Sequence, residues 1–256
     1  MLNIGLVQLD VKEGDIKSNK GKIEKYVKDK SCRQLDLLCF PELCISGYDF
    51  DTVKNSLDEL EFFSYMSNKY NQAILAGVSK NEDGKYFDTV CIWDENGIKL
   101  GEYKKIHLWG VEKEFFTSGD DLSIVDFRGW KIGLLICADF GFPELSRALT
   151  VMGADVIFYP SAWDVKSGEL FRLCAKMRSV ENQIYSVALN RGSSENKFCG
   201  STGVYGPDGN VIKEIRHLEE DYIEVVLRKE KIENFRKELP WLDMRRPDLY
   251  KKFTYE

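Results

Sequence analysis

The chain has 256 residues and a net charge of −6, from 36 basic and 42 acidic side chains. A nucleic-acid-binding face needs clustered Lys and Arg in excess, so this balance argues against a nucleic-acid partner. The hydrophobic fraction of 43% argues against a disordered chain. The longest apolar run, at 132–138, is far shorter than the roughly 20 residues of a membrane span, so we expect no membrane partner.

The cysteines and histidines exclude several kinds of site. There are seven cysteines, an odd number, and the N-terminal segment MLNIGLVQLD has neither a basic region nor a cleavage site of small residues. These features predict a reduced, cytoplasmic protein without a signal peptide. No CxxC pair occurs, and His107 and His217 are far apart in the sequence. We therefore expect no metal and no cofactor.

Short apolar runs alternate with longer amphipathic segments along the chain, which predicts a mixture of strands and helices. The predicted strands are 3–9, 35–40, 73–79, 86–94, 98–103, 122–127, 130–136, 156–159, 184–190, 202–205, 211–215 and 221–227. The predicted helices are 15–30, 56–70, 143–152 and 168–183. Residues 95–97, 128–129 and 207–209 have the composition of tight turns.

This order of elements mixes hairpins with β-α-β units. It predicts one α/β domain over 1–256, with a mixed sheet system sandwiched between helices. The tail, 232–256, shows little regular pattern but is rich in aromatic residues. Because an apolar tail would otherwise lie in water, we expect it to pack on a neighbour, and this favours a homodimer or a larger homo-oligomer.

Three reactive side chains follow apolar strands. Glu42 comes after 35–40, Lys105 after 98–103 and Cys137 after 130–136. In open α/β folds, sites are built at the carboxyl ends of strands, so these three side chains are expected to converge. Taken singly, Glu42 is equally compatible with a solvated acid, Lys105 with a surface lysine and Cys137 with a core residue. Their joint placement favours a functional site.

The chemistry of such a site is that of acyl transfer. A thiolate attacks acyl carbon, but a thiol near pH 7 is mostly protonated, so Cys137 needs a base. Neither histidine follows a strand beside an obvious orienting acid, whereas a buried Glu42 can serve as base and then as acid. Lys105 is expected to stabilise the thiolate and the oxyanion, together with the backbone N–H of Ala138.

The same residues carry a resemblance that extends over nearly the whole chain. Residues 36–48 (DLLCFPELCISGY), 103–108 (YKKIHL) and 133–144 (GLLICADFGFPE) resemble the glutamate, lysine and cysteine motifs of the nitrilase superfamily of carbon–nitrogen hydrolases. The resemblance implies a four-layer αββα sandwich, catalysis by Glu42, Lys105 and Cys137, and a homodimer or larger assembly with the C-terminal segment at its interface.

The resemblance also assigns further site residues. Glu112 resembles the second glutamate of the family, which positions the substrate, although Glu114 is a nearby alternative. Tyr48, Ala138, Trp163 and Asp164 fall where the family builds its substrate pocket. Two acids of these loops have an additional reading: Asp49 or Asp164 could meet a cationic substrate, or either could be solvated or cap a helix.

Three functions remain open, and we favour the first. It is an amidase that cleaves the C–N bond of a small linear amide or N-carbamoyl compound through a cysteine thioester. The second is a nitrilase, but nitrile-preferring relatives carry Trp-Glu after the cysteine, where this chain has Ala138-Asp139. The third is a non-catalytic interaction module, which would not require Glu42, Lys105 and Cys137 together.

Overall fold

The computed structural model describes residues 1–55 and 59–253, and its architecture is mixed α/β. Its strands are β1 (Leu2–Gln8), β2 (Leu37–Phe40), β3 (Ile74–Glu82), β4 (Lys85–Trp93), β5 (Lys99–Lys104), β6 (Ser123–Phe127), β7 (Trp130–Leu134), β8 (Val156–Ser161), β9 (Tyr185–Asn190), β10 (Gly203–Tyr205), β11 (Val211–Glu214) and β12 (Asp221–Leu227). Its helices are α1 (Ile16–Lys30), α2 (Phe50–Asn55), α3 (Glu59–Tyr70), α4 (Pro143–Val151), α5 (Gly168–Asn182), α6 (Lys229–Glu238) and α7 (Pro247–Tyr250).

The strands form two six-stranded sheets, with the orders β12-β1-β2-β3-β4-β5 and β11-β10-β9-β8-β7-β6. Within the first sheet β1, β2 and β3 are parallel, and within the second β7, β8 and β9 are parallel. The outer strands are antiparallel to their neighbours. Each sheet therefore has a central block whose carboxyl ends share one edge.

Successive side chains of a strand point to opposite faces of its sheet, so each strand contributes to two apolar layers. In β2, Leu37 and Cys39 join the core between the two sheets, whereas Leu38 and Phe40 face the layer that contains Ile23 of α1. Helices α4 and α5 cover the outer face of the second sheet in the same way. The result is the predicted αββα sandwich, in which both faces of each sheet are buried.

Helix α1 illustrates why these residues form these elements. Asn19, Ile23 and Val27 recur every four residues and are its buried positions. Asp15 caps the helix, since its side chain accepts a hydrogen bond from the Ser18 backbone N–H at 3.0 Å. The polar residues between these positions face solvent or form ion pairs at the surface, such as Lys22 with Glu220.

Several predicted boundaries differ from the structure. Strand β7 ends at Leu134, before the predicted 136, because the Ile136 N–H binds the side chain of Asp139. Strand β8 runs through Pro160 to Ser161, two residues beyond the predicted end at 159. Helix α2 was not predicted. Of the helix predicted at 56–70, positions 56–58 lie outside the described residues.

The C-terminal segment is more regular than expected. The prediction of little regular structure from 232 onwards is wrong, because helix α6 spans Lys229–Glu238 and α7 spans Pro247–Tyr250. Helix α6 buries Ile232 in the main core. The aromatic residues Trp241 and Phe253 beyond it are exposed in the single chain. Across the described part of the chain, every helix is too short or too polar to cross a membrane.

Candidate active site

Glu42 follows β2 and is completely buried. Its main chain is fixed by Arg191, whose guanidinium donates to the carbonyl oxygens of Glu42 at 2.9 Å and Leu43 at 3.0 Å. Gly77 of β3 lies so close that a Cβ there would meet the Glu42 Cα at 2.5 Å. A glycine at 77 is therefore what allows the Glu42 backbone to lie against the sheet.

Lys105 follows β5, and its ammonium group contacts three carboxyl groups. Nζ lies 2.6 Å from Glu42 Oε1, 2.8 Å from Glu112 Oε1 and 3.3 Å from Asp88 Oδ2. Burial alone would lower the pKa of the Lys105 ammonium, but the charge of Glu42, with those of the other carboxyl groups around it, raises that pKa well above its ordinary value. Lys105 therefore stays protonated inside the core.

Glu112 lies in a 3₁₀ turn (Gly110–Glu114) that brings its side chain onto Lys105. Oε1 accepts hydrogen bonds from Lys105 and from the Tyr48 hydroxyl at 2.9 Å, and Oε2 accepts one from the Trp109 N–H at 2.8 Å. Burial raises the pKa of the Glu112 carboxyl; the charge of Lys105 opposes this effect and that of Glu42 adds to it. Glu114, the alternative, is exposed.

Cys137 begins the 3₁₀ turn Cys137–Gly141, which connects β7 to α4. Its φ is 45°, in the left-handed region, and only 7% of its surface is exposed. Asp139 stabilises the turn, because its side chain accepts a hydrogen bond from the Ile136 N–H at 3.0 Å. A strained residue held on a well-bonded turn is typical of a functional position.

Lys105 acts to lower the pKa of the Cys137 thiol, but its effect is outweighed in the buried site. Burial raises the pKa of the Cys137 thiol well above its ordinary value, and the negative charge of Glu42 raises it further. The ammonium of Lys105 and the backbone of Ala162 lower that pKa, but by less. The thiol is thus neutral at rest, and any nucleophilic role requires a base beside it.

Asp88 is a member of this cluster that we did not predict. It lies on β4, is fully buried, and its backbone carbonyl accepts a hydrogen bond from the Lys105 N–H at 2.9 Å. A sequence signal exists: Asp88 is the one acid in the strand KYFDTVCIW. Oxygen atoms of Asp88, Glu42 and Glu112 lie within 4.8 Å of one another and could hold a cation, but the Lys105 ammonium already contacts all three.

The predicted pocket residues divide into two groups. Tyr48 and Ala138 lie at the site, since Tyr48 binds Glu112 and Ala138 follows the thiol. Trp163 is half-buried against Phe171, with ring centroids 5.4 Å apart. Asp164 is exposed and caps a turn through the Ser167 N–H at 3.0 Å.

Asp49 has a similar capping role, because its side chain accepts a hydrogen bond from the Thr52 N–H at 2.7 Å. The capping reading of Asp49 and Asp164 is the one that these contacts favour.

A cleft of about 520 Å³ opens beside the cysteine turn. Its walls include Ala138, Trp109, Lys113 and the stacked rings of His107 and Phe142, whose centroids lie 3.4 Å apart. The sequence showed no obvious orienting acid beside either histidine, but His107 Nδ1 lies 2.9 Å from Asp139 Oδ1 and His217 Nε2 lies 2.9 Å from Asp221 Oδ2. The pair of His107 and Asp139 adjoins the cleft. His107 and Asp139 are 32 positions apart, so the sequence alone could not pair them.

The profile of the carbon–nitrogen hydrolase family matches residues 3–237. The chain belongs to the carbon–nitrogen hydrolase family. Among related proteins, this carbon–nitrogen hydrolase is 33% identical to one named "Probable nitrilase" in Schizosaccharomyces pombe, with 98% of this chain and 97% of the relative covered. It is 30% identical to the 2-oxoglutaramate amidase of Bacillus subtilis, with 96% and 98% covered.

The fold agrees with a solved member of the nitrilase superfamily. Nit3 of Saccharomyces cerevisiae, described as a member of branch 10 of that superfamily, superposes with a TM-score of 0.85 at 27% sequence identity. The match covers 93% of this carbon–nitrogen hydrolase and 94% of Nit3. The resemblance inferred from the three motifs is therefore confirmed at the level of family and fold.

Proposed function

We propose that this carbon–nitrogen hydrolase cleaves a small linear amide or N-carbamoyl compound through a thioester on Cys137. The observation that carries the proposal is the buried Lys105 ammonium, held 2.6 Å from Glu42 and 2.8 Å from Glu112. A protein with no reaction to perform has no need to bury several ionisable groups, because each costs desolvation energy. This cost counts against the non-catalytic alternative.

The reaction begins with the neutral thiol. Glu42 accepts the Sγ proton as sulfur bonds to the acyl carbon, and the C=O electron pair moves to oxygen. Lys105 and the Ala138 N–H stabilise that oxyanion. The intermediate collapses to a thioester when Glu42 returns the proton to the departing nitrogen. Glu42 then deprotonates water as the water oxygen bonds to the acyl carbon. The C–S bond breaks, the carboxylic acid leaves, and Glu42 returns the proton to the Cys137 sulfur.

Glu112 gives the site a preference for amides over nitriles. Its carboxylate is positioned by Lys105 and Tyr48, and it accepts a hydrogen bond from the substrate N–H, a donor that a nitrile lacks. We assign Tyr48, Ala138 and the half-buried ring of Trp163 to the substrate pocket, whereas Asp164 caps a turn instead. The amidase name of the Bacillus subtilis relative supports this assignment, whereas the name of the Schizosaccharomyces pombe relative favours the nitrilase alternative.

The test is ammonia release from matched substrates. Propionamide with propionitrile, a phenylacetyl amide–nitrile pair and an N-carbamoyl amine are incubated with the protein, with Cys137→Ala as the control for contaminating activity. We expect the higher kcat/KM for the amide in each pair. A higher value for both nitriles would replace the amidase with a nitrilase. No turnover of any compound by a folded protein would favour the non-catalytic reading.

We also propose that the protein is a homodimer or larger homo-oligomer. Leu170, Leu173 and Met177 form an exposed apolar stripe along α5, and Trp241 and Phe253 of the C-terminal segment are exposed as well. Such surfaces on one chain are typical of an interface between subunits.

We place the protein in the cytoplasm. None of the six cysteines whose side chains the structure describes forms a disulfide, as expected in a reducing compartment. Fluorescence microscopy of a tagged chain, or fractionation of the cells that make it, measures this directly. Recovery with secreted or membrane-enclosed material would contradict it.

A further inference from the structure

Asp88 faces ionisable groups from several elements. Lys105 follows β5, Glu42 follows β2 and Glu112 comes from the 3₁₀ turn, and all three lie in one cluster with Asp88. The Tyr48 hydroxyl adjoins the same cluster, because it donates a hydrogen bond to Glu112 at 2.9 Å. The carboxyl groups of Glu42, Glu112 and Asp88 thus all contact the one ammonium of Lys105 in a buried space.

The hydrogen bonds of the cluster are incomplete if every acid is ionised. Glu42 Oε2 and both carboxyl oxygens of Asp88 are buried, and no group of the described residues donates a hydrogen bond to them. Buried polar oxygens without donors are costly, and like charges in contact are costly as well. A proton held between Asp88 and Glu42 removes both penalties, because one carboxyl then donates to the other.

We propose that Asp88 is a positioning residue that holds a proton in the resting enzyme and donates it as a hydrogen bond to Glu42. The proposal rests on the proposed role of Glu42 as base. It assigns the proton to Asp88 because Lys105 is closer to Glu42, at 2.6 Å, than to Asp88, at 3.3 Å, and so favours the ionised form of Glu42.

The electrostatic environment of each group agrees with this assignment. Burial raises the pKa of the Asp88 carboxyl well above its ordinary value, and the charge of Glu42 raises it further. Burial also acts to raise the pKa of Glu42, but the charge of Lys105 and its hydrogen bond to Glu42 oppose this effect, and the pKa of Glu42 is lowered. The consequence is a base that stays ionised beside an acid that stays neutral.

The pH profile of kcat/KM distinguishes this arrangement from an ionised Asp88, because its acid limb reports the base of the free enzyme. Asp88→Asn keeps a donor of the same shape, so we expect turnover within about threefold and an acid limb near that of the wild type. Asp88→Leu removes the donor. We expect it to raise the apparent pKa of the acid limb by about one unit and to lower kcat about tenfold to a hundredfold, with KM nearly unchanged.

The matched control is Glu59→Gln, which replaces a buried acid outside the cluster whose Oε2 binds the Ser79 N–H at 2.8 Å. It should leave the acid limb in place. If Asp88 were ionised, the acid limb would shift in the opposite direction. Both Asp88 variants would then remove a negative charge beside Glu42 and move the acid limb to lower pH. That result would overturn the proposal, as would a wild-type profile in a folded Asp88→Leu protein.

Infrared difference spectroscopy tests the proton without any substrate. In wild type minus Asp88→Asn at neutral pH, we expect a carbonyl band of a protonated carboxylic acid that shifts in D₂O. Its absence would overturn the proposal even if the enzyme is an amidase. Conversely, if the band is present but the protein turns over no amide, the protonation of Asp88 is supported and only the proposed function is refuted.

Discussion

The Tyr103 hydroxyl donates a 2.7 Å hydrogen bond to Asp139 Oδ2, and both residues are buried. Tyr103 lies on β5 of the first sheet, two residues before Lys105, and Asp139 lies in the turn that begins with Cys137. This contact therefore joins the segment of the lysine to the segment of the cysteine across the two sheets.

Replacing Tyr103 by Phe should loosen that connection while retaining the ring. We expect a loss of about 1–3 kcal/mol in the free energy of unfolding, because the Asp139 oxygen loses a buried donor. Turnover should fall together with stability, since Lys105 and Cys137 are no longer held in register. Urea unfolding and kcat at one pH measure the two effects. Unchanged values of both would show that the hydrogen bond is dispensable.

Glu42→Gln should make the Cys137 thiol easier to ionise and yet reduce turnover. Because the charge of Glu42 raises the pKa of the Cys137 thiol, its removal should lower that pKa and shift iodoacetamide labelling of Cys137 to lower pH. Turnover should nevertheless fall by about 10²- to 10⁴-fold, since the base and acid is gone. Peptide mapping of the alkylated protein across a pH series gives the labelling midpoint.

The control for this variant is again Glu59→Gln, which should change neither the labelling midpoint nor kcat. Preferential labelling of half-buried Cys174 would contradict the assignment of the nucleophile. Near-normal turnover in folded Glu42→Gln would transfer the role of base to Glu112 or to His107.

The pair Glu112→Gln and Glu114→Gln tests which acid after Lys105 belongs to the site. Glu112 is buried on Lys105 and Tyr48, whereas Glu114 is exposed. We expect Glu112→Gln to lower kcat/KM for amides by at least about tenfold, because the charge-assisted hydrogen bonds weaken. Glu114→Gln should behave as wild type. Equal losses in both variants would mean that the turn as a whole, rather than Glu112, is what matters.

Gly77→Ala should displace Glu42 from its place. The added Cβ would lie 2.5 Å from the Glu42 Cα and 2.7 Å from the Pro41 carbonyl oxygen, and backbone atoms cannot give way cheaply. We expect a loss of about 1–3 kcal/mol in stability and a strong loss of activity.

Gly21→Ala is the matched control for Gly77→Ala. Gly21 lies within α1, and a Cβ there meets nothing within 4 Å. This variant should stabilise the protein by about 0.5–1 kcal/mol, because alanine restricts the unfolded chain and favours the helix. Thermal unfolding of both variants measures the contrast, and similar melting temperatures would refute the steric account of Gly77.

Leu173→Arg should disrupt the proposed subunit interface. The Leu173 side chain is 55% exposed at the centre of the stripe on α5, so the substitution should leave the fold intact while placing a charge on an apolar contact. Light scattering at low micromolar concentration should show the wild type as a dimer or larger and the variant as a smaller species. Leu100→Arg, at another exposed apolar position, is the control, and a monomeric wild type would contradict the interface.

The local sequence pattern was sufficient to predict most strands and helices, because the periodicity of each element depends on consecutive residues. The hairpin of β6 and β7 pairs Phe127 with Trp130 around the predicted turn, and α5 ends within one residue of its predicted boundary. Where the pattern failed, a distant contact or a side-chain bond decided the outcome. Helix α6 is stabilised because Ile232 packs into the main core. Strand β7 ends early because the Ile136 N–H donates its hydrogen bond to the Asp139 side chain.

The sequence by itself determined the residue types and their order: a glutamate, a lysine and a cysteine, each after an apolar strand. Only the tertiary structure decided what those groups experience. Burial and the charge of Glu42 raise the pKa of Cys137, and Asp88 joins the cluster from β4 although it is 46 residues from Glu42 and 17 from Lys105. Electrostatic energies depend on distance and on exclusion from water, and neither quantity exists until the two sheets are packed.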